Sequence, residues 1–530
     1  MRSHAVKIVE GPAALVHTDG RAVRAALQAS ADVVVVGSGP AGAAVARACA
    51  LSGLDVLVVE EGDEARTADF PASGLQAMAR WYRGMGTSVA FGRTVVPFRQ
   101  GRAVGGTSVV NGAIQWRLPR DVWEGWTRAD PALADALPWE RYQEAERLVE
   151  ERLGVAPTDE RIAGEKNLLL ARGALALGLE HRPIRRNVER CQGSGRCLQG
   201  CPTGRKLSVD RSFLVDAVAH GARVFSAMRA DAVLLDKGRA VGVRARAAAG
   251  AVVTLHARHA VVLAASAIQT PVLLRKSGLR RGPVGDGLMA HPGVSVTGRF
   301  DHDVDNHRGA TQGHEVIGLR HQGIKLEALG FDLSILASRI PGAGRDFGRR
   351  LAELRHHAVW GAALRAEAQG RVRPGLPGMG GHARVHYSLT LEDLQKARRA
   401  IRVLCELFLA AGALEVYPGI AGAPELIRTR DEAARLEEQA PLDARAYAMS
   451  MTHLFATARM GSDRRHSVVG LDFQHHDAPG LYVADSSVFP SNTGVNPQLA
   501  IMALAHCCAQ SLGARATAST PPRDRAHAGS

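Results

Sequence analysis

Three glycines, one glutamate and one histidine carry most of the chemistry that can be read from this chain. Gly37, Gly39 and Gly42 form G-x-G-x-x-G between an apolar run, Asp32–Val36, and a small-residue run, Ala43–Leu51. Gly37 permits the tight turn, Gly39 lets the backbone approach a pyrophosphate, and Gly42 lets a helix pack closely on a strand. Phosphates then meet the free amides at the helix N-terminus. Glu60 follows the second apolar run, Val56–Val59, eighteen residues after Gly42. There its carboxylate is placed to accept ribose hydroxyls, bonds worth roughly 1.5–3 kcal/mol each, and to repel a 2′-phosphate. The motif separates a dinucleotide site from an ordinary turn, but does not distinguish FAD from NAD.

Three further segments make that distinction. Residues 101–112 read GRAVGGTSVVNG, residues 260–278 read AVVLAASAIQTPVLLRKSG, and 453–505 hold HLFATARMG and then GLYVADSSVFPSNTGVNPQLAIMALA. Gly105, Gly106 and Gly112 remove side chains where a flat ring must lie against backbone. With Ser108 and Asn111 they form a loop whose amides suit a ring's polar edge. In order and separation these segments resemble the glucose–methanol–choline flavoprotein family, nearest its cholesterol-oxidase-like and long-chain-alcohol-oxidising branches. The resemblance covers about half the chain and implies FAD. Some family members bond flavin covalently through a histidine in this loop; the matching residue is Val110, so the FAD is expected to be non-covalent. The resemblance also implies that Ala230 contacts the adenine, and that Asp485 and Pro497 lie along the flavin.

It further implies a catalytic pair. An alcohol becomes a hydride donor only as its O–H proton leaves, so a polar group must meet the hydroxyl while the carbinol hydrogen faces flavin N5. His453 matches the family's first position, as general base or alkoxide stabiliser, and its unperturbed pKa near working pH suits that task. Asn496 matches the second position, and its amide orients the substrate oxygen. His291, in the dipeptide His-Pro, is read as structural. The expected reaction is oxidation of a CH–OH group to aldehyde or ketone, with oxygen or another acceptor reoxidising the flavin. An apolar alcohol or sterol is the favoured substrate, with a sugar, polyol or amino sugar as runner-up. A non-redox lyase of the same fold is the alternative from another class.

Cys191, Cys197 and Cys201 cluster in a glycine-rich stretch and are followed by Pro202. Three thiolates at this spacing suit an iron–sulfur cluster, and the segment resembles one in sugar-dehydrogenase flavoproteins of the family. That reading would make the chain an electron-transferring subunit; structural thiols or a disulfide are the competing readings. The remaining cysteines, Cys49, Cys405, Cys507 and Cys508, fall in apolar runs, where buried free thiols are common.

These residues need a scaffold. Asp32–Val59 reads as a βαβ unit, and 123–153 as amphipathic helices. Gly221–Gly242 reads as strand, turn and strand, and Val252–Ala265 as a hairpin feeding a buried strand. Phe331–Ser338, Arg384–Leu389 and Val294–Phe300 read as strands, and Leu391–Ala411 as a helix capped by Gly412. The expected class is α/β: a Rossmann-like FAD-binding domain (31–122, 203–298 and 451–514) interleaved with an α+β substrate domain (299–450) built on an antiparallel sheet with helices on one side. An N-terminal extension (1–30), connecting helices with the cysteine loop (123–202) and a disordered tail (515–530) complete the reading.

Bulk properties narrow the options. The 530 residues exceed one hydrophobic core. Net charge is +14, but the arginines are scattered and aromatic content is 5%, which gives nucleic-acid binding little support. In the 299–450 lobe acidic and basic residues roughly balance. No apolar stretch is long enough to span a membrane, and the first thirty residues lack a signal-peptide pattern, so a cytoplasmic protein is expected.

Overall fold

The computed structural model describes residues 15–376 and 382–519. Val33–Val36 is a continuous apolar run because this strand is buried on both faces, as the centre of a parallel sheet requires. It ends β2 (Leu27–Val36), which is followed by α1 (Pro40–Leu51) and β3 (Val56–Val59). Ala41, Ala43, Ala44 and Ala46 on α1 allow close approach to the C-terminal helix Gln498–Ser519 and to the helix Phe213–Ala219. Around this unit stand β1 (Val16–Asp19), β4 (Arg223–Ser226), β5 (Met228–Asp236), β6 (Arg239–Ala247) and β7 (Val252–Leu263). The sheet order is β1-β4-β3-β2-β7-β6-β5. A late strand, Leu481–Val483, pairs in parallel with the end of β7. The sheet is therefore completed by residues from both ends of the chain.

The second lobe hangs on β8 (Asp286–Arg299). Its first half pairs with β11 (Ser450–Phe455), setting His291 opposite His453, and its second half pairs with β10 (His357–Leu364). β10 in turn pairs with β9 (Ile324–Leu329). These strands are antiparallel and belong to an eleven-stranded sheet. The helix Leu391–Ala410 lies against it, capped by Thr390 and Asp393 in a reciprocal capping box. Phe408 of this helix stacks on Trp360, with ring centroids 3.7 Å apart. Each sheet has its own hydrophobic core.

Five expectations are corrected. Residues 15–30 are not an extension: β1 and the start of β2 join the first sheet, and residues 1–14 lie outside the described part. Val252–Leu263 is one long strand with an irregular register near Ala257–Ala260, not a hairpin. Phe331–Ser338 contains the helix Leu333–Ala337, whose N-cap Asp332 accepts from the Ser334 amide. The 123–202 segment does more than connect, since Glu165–Ala176 packs under the second sheet and His181–Pro183 adds a strand to it. The tail begins as helix to Ser519, and the remainder of that expectation, residues 520–530, falls outside the described part. Among the described residues no helix is long and apolar enough to cross a membrane.

Candidate active site

Both lobes wall one cavity of about 470 Å³, within the usual range for small-molecule and cofactor sites. Gly37, Gly39, Glu60, Gly106, Ser108, Val110, Asn111, Gly112 and Ala230 line it from the first lobe. His453, Asp485, Asn496 and Pro497 line it from the later segments. Residues scattered over more than 450 positions thus share one space.

Gly42 and Gly105 stand behind the wall. A Cβ on Gly42 would lie 1.8 Å from the Gly37 carbonyl oxygen, so only glycine lets α1 begin this close to the turn. The Gly105 amide donates to Ser38 Oγ at 3.0 Å. The front of the cradle is equally tight: a Cβ on Gly106 would lie 2.7 Å from Gly39 Cα. The two backbones thus meet at the cavity wall beside the N-terminus of α1, where a dinucleotide's phosphates are bound.

Glu60 is buried, and much of its hydrogen-bonding capacity is already used. Oε2 accepts from the Ser38 amide (2.9 Å) and hydroxyl (2.7 Å), while Oε1 accepts from Gly62 N (2.8 Å). Burial raises its pKa and these bonds oppose the rise. Oε1 keeps one acceptor position for a ribose hydroxyl, fewer than the bare sequence suggested. Asp485 is committed in the same way, to Ser266 N (2.9 Å), Thr270 Oγ1 (2.5 Å) and Ser487 N (2.8 Å). Ser108 Oγ donates to Gly105 O and accepts from Val209 N. These three side chains hold the cradle's shape. By contrast, Asn496 Oδ1 and Gln498 Nε2 are buried without a partner. Such atoms are costly unless a ligand meets them, and both residues line the cavity. The residues fit a flavin.

The histidines form a dyad. His291 Nε2 accepts from the Gly494 amide at 2.9 Å, and its Nδ1 lies 3.2 Å from His453 Nδ1. Burial, then the neighbouring His453, hold His291 well below its ordinary pKa, so it is neutral. A neutral ring accepting at Nε2 carries its proton on Nδ1, which donates to His453 Nδ1. His453 must then carry its own proton on Nε2, the atom left for the cavity. Burial, with a contribution from Lys325, pushes the His453 pKa down to about 3. In this tautomer the neutral imidazole presents an N–H, and not a lone pair, at Nε2. His291, read from sequence as structural, fixes this tautomer. Replacing it with Leu is expected to slow turnover at least about tenfold with flavin retained, while Asn, which can donate to Nδ1, restores most of the rate. Single-turnover rates and flavin content check this.

The cysteine segment does not fit a metal cluster. Among the described residues no group of three or more His, Cys, Asp or Glu side chains is arranged to hold a metal ion, and all seven cysteines are free. The Arg186 guanidinium donates to Cys197 Sγ at 3.1 Å and lies 4.0 Å from Cys191 Sγ. The segment instead braces the cavity loop. Lys206 Nζ, fully buried, donates to the carbonyls of Val109 (2.7 Å), Asn111 (3.0 Å) and Cys197 (2.9 Å). Sequence reasoning missed Lys206 and Gln498. For Gln498 the only signal was its place two residues after Asn496.

Residues 78–293 and 367–505 match the two models of the GMC oxidoreductase family, and 32–86 match an FAD-binding domain. The chain belongs to the GMC oxidoreductases. This GMC oxidoreductase is 38% identical to an uncharacterized GMC-type oxidoreductase of Mycobacterium tuberculosis, over 90% of this chain and 74% of the relative. It is 31% identical to one of Sinorhizobium fredii, over 92% of this chain and 95% of the relative. With the long-chain-alcohol oxidase FAO1 of Arabidopsis thaliana it shares 29% identity, over 90% of this chain and 66% of that protein. The fold is shared with pyridoxine 4-oxidase from Mesorbium loti (TM-score 0.69, 18% identity, 90% of this chain and 98% of that one). It is also shared with a fungal aryl-alcohol oxidase (TM-score 0.64, 17% identity, 92% and 99%). As a GMC oxidoreductase the protein is an FAD enzyme.

Proposed function

We propose that the protein oxidises the CH–OH group of an alcohol, with His453 and Asn496 holding the hydroxyl. The observation that carries this reading is the pairing of a tautomer-fixed imidazole N–H with an unpartnered buried amide on one cavity wall. A hydroxyl has one donor and two acceptor positions. His453 Nε2–H meets an oxygen lone pair, Asn496 Oδ1 accepts the O–H, and the carbinol carbon is thereby oriented. As the O–H proton is released to solvent, negative charge grows on the oxygen, and a fixed donor on the cavity wall stabilises that charge. The bound flavin supplies the acceptor for the carbinol hydride. Gln498, Asn111 and Lys206 keep the flavin loop in shape. Val110 offers no nucleophile, which supports a non-covalent cofactor.

Kinship with a long-chain-alcohol oxidase and the largely apolar cavity favour an apolar alcohol over a sugar. The test is anaerobic mixing of yellow holoenzyme with a panel of primary alcohols, sterols and polyols. Loss of flavin absorbance with primary alcohols is the expected result. An unbleached flavin with every alcohol, together with cleavage of a cyanohydrin, would replace this reading with that of a lyase.

A further inference from the structure

Arg99 and Arg339 line the same cavity as His453. Among the described residues neither has a carboxylate within 4.0 Å. Among the described residues the Arg339 guanidinium donates to Ser295 Oγ alone, at 3.1 Å, and lies over the Phe331 ring. Arg99 Nε is buried without a partner. Arg83, on the same cavity, shows the ordinary arrangement: it is paired with Glu61 at 2.8 Å. The two unpaired guanidiniums are close enough that Arg99 adds to burial in pulling the Arg339 pKa down. Two like charges facing a partly dry wall are costly unless an anion meets them.

The cofactor's phosphates do not supply that anion, because their place is the glycine turn before α1 in the other lobe. Ser295 sits on β8 four residues beyond His291, on the same face and roughly 13 Å along the strand. Leu329 and Ala363 line the cavity from the adjoining strands, on the face shared with Ser295. The carboxylates on this wall are already taken up, Glu327 by Lys325 and Gln312, and Asp332 by the Gly74 and Ser334 amides. One end of this space therefore handles a hydroxyl, and the far end carries two cations without a carboxylate partner.

We propose that Arg99 and Arg339 form a subsite for an anionic group at the far end of the substrate. The substrate class is then an alcohol whose hydroxyl is separated from a carboxylate or phosphate by an apolar chain of roughly ten carbons. Arginine's planar fork suits either anion. The inference rests on the alcohol-oxidation reading and narrows it.

The test uses FAD-loaded enzyme and equilibrium dialysis of decanoate, decyl phosphate and decan-1-ol. One of the two anions is expected to bind at least about tenfold more tightly than the alcohol, and which one does so identifies the group. Arg339→Gln and Arg99→Gln, each confirmed to retain flavin, are expected to weaken that anion about tenfold, and Arg339→Lys to recover part of the loss. In single turnovers 10-hydroxydecanoate should bleach the flavin at lower concentration than decan-1-ol. Equal affinity for all three ligands, or anion affinity unchanged in both Gln variants, would overturn the subsite. Expected anion binding with no bleaching by either alcohol would leave the subsite standing and sink the oxidation reading instead.

Discussion

His453→Ala is expected to slow anaerobic flavin bleaching by an alcohol about 10²–10³-fold while leaving FAD bound. Loss of one positioned donor at a charge-developing oxygen has that magnitude in desolvated sites. His453→Gln, whose amide can still donate, should recover part of the rate. The pH profile is the sharper readout. Because burial holds the imidazole pKa near 3, the ring stays neutral across the working range, so the rate should be flat from about pH 6 to 8 rather than stepping near 6.5. The sign for stability follows. Between about pH 6.5 and 3 the unfolded chain binds a proton at residue 453 that the folded chain refuses, so stability falls as pH falls through that window. A bleaching step centred near 6.5 in the wild type would show that His453 works as an ordinary base and that the tautomer assignment is wrong.

Gly42→Val should yield protein largely devoid of FAD. Its Cβ would sit 1.8 Å from the Gly37 carbonyl oxygen and 2.9 Å from the carbonyl carbon, both backbone atoms that cannot swing aside. Either α1 retreats from the turn or the turn deforms; in both cases the amides that meet the pyrophosphate are displaced. Overpacking of this kind costs about 1–3 kcal/mol, or roughly 5–150-fold in FAD affinity. Gly53→Ala is the control. Gly53 ends the same helix at φ +80° with nothing within 4 Å of an added Cβ, so it tests backbone strain without a clash. It should keep its flavin with a small loss of thermal stability. Full FAD occupancy in Gly42→Val, measured as flavin absorbance per protein after desalting, would refute this account of the turn.

Much of the dinucleotide unit was legible because its signals are local. A continuous β-branched run, three spaced glycines and a run of alanines each declare their element within a few residues. The long helix Leu391–Ala410 was legible for the same reason, through its long helical run and the Gly412 that stops it. The misread segments lacked such marks. Val16–Asp19 and Leu27–Ser30 find their partners in strands some two hundred residues away, and parallel pairing at that range leaves no trace beside the strand itself. Leu333–Ala337 is too short for periodicity to separate helix from strand, and only Asp332 at the cap hinted at the answer. At the site, His453 and Asn496 could be named from a resemblance. His291 could not be given its part, because the meeting of two imidazoles is set by strand register across 162 positions. Arg99 and Arg339 were invisible for a related reason: a charge is conspicuous only when its surroundings show that it lacks a counter-ion.

The first sheet takes its last strand, Leu481–Val483, from near the chain's end, and the cavity takes His453, Asn496 and Gln498 from the same region. During synthesis, therefore, the glycine turn emerges from the ribosome several hundred residues before the walls that would retain a flavin. A nascent chain truncated before this region has a mouth for the coenzyme and no back to the socket. Coenzyme capture is consequently expected late in the protein's maturation, and a chain stopped before the final helix is expected to carry no flavin absorbance after desalting.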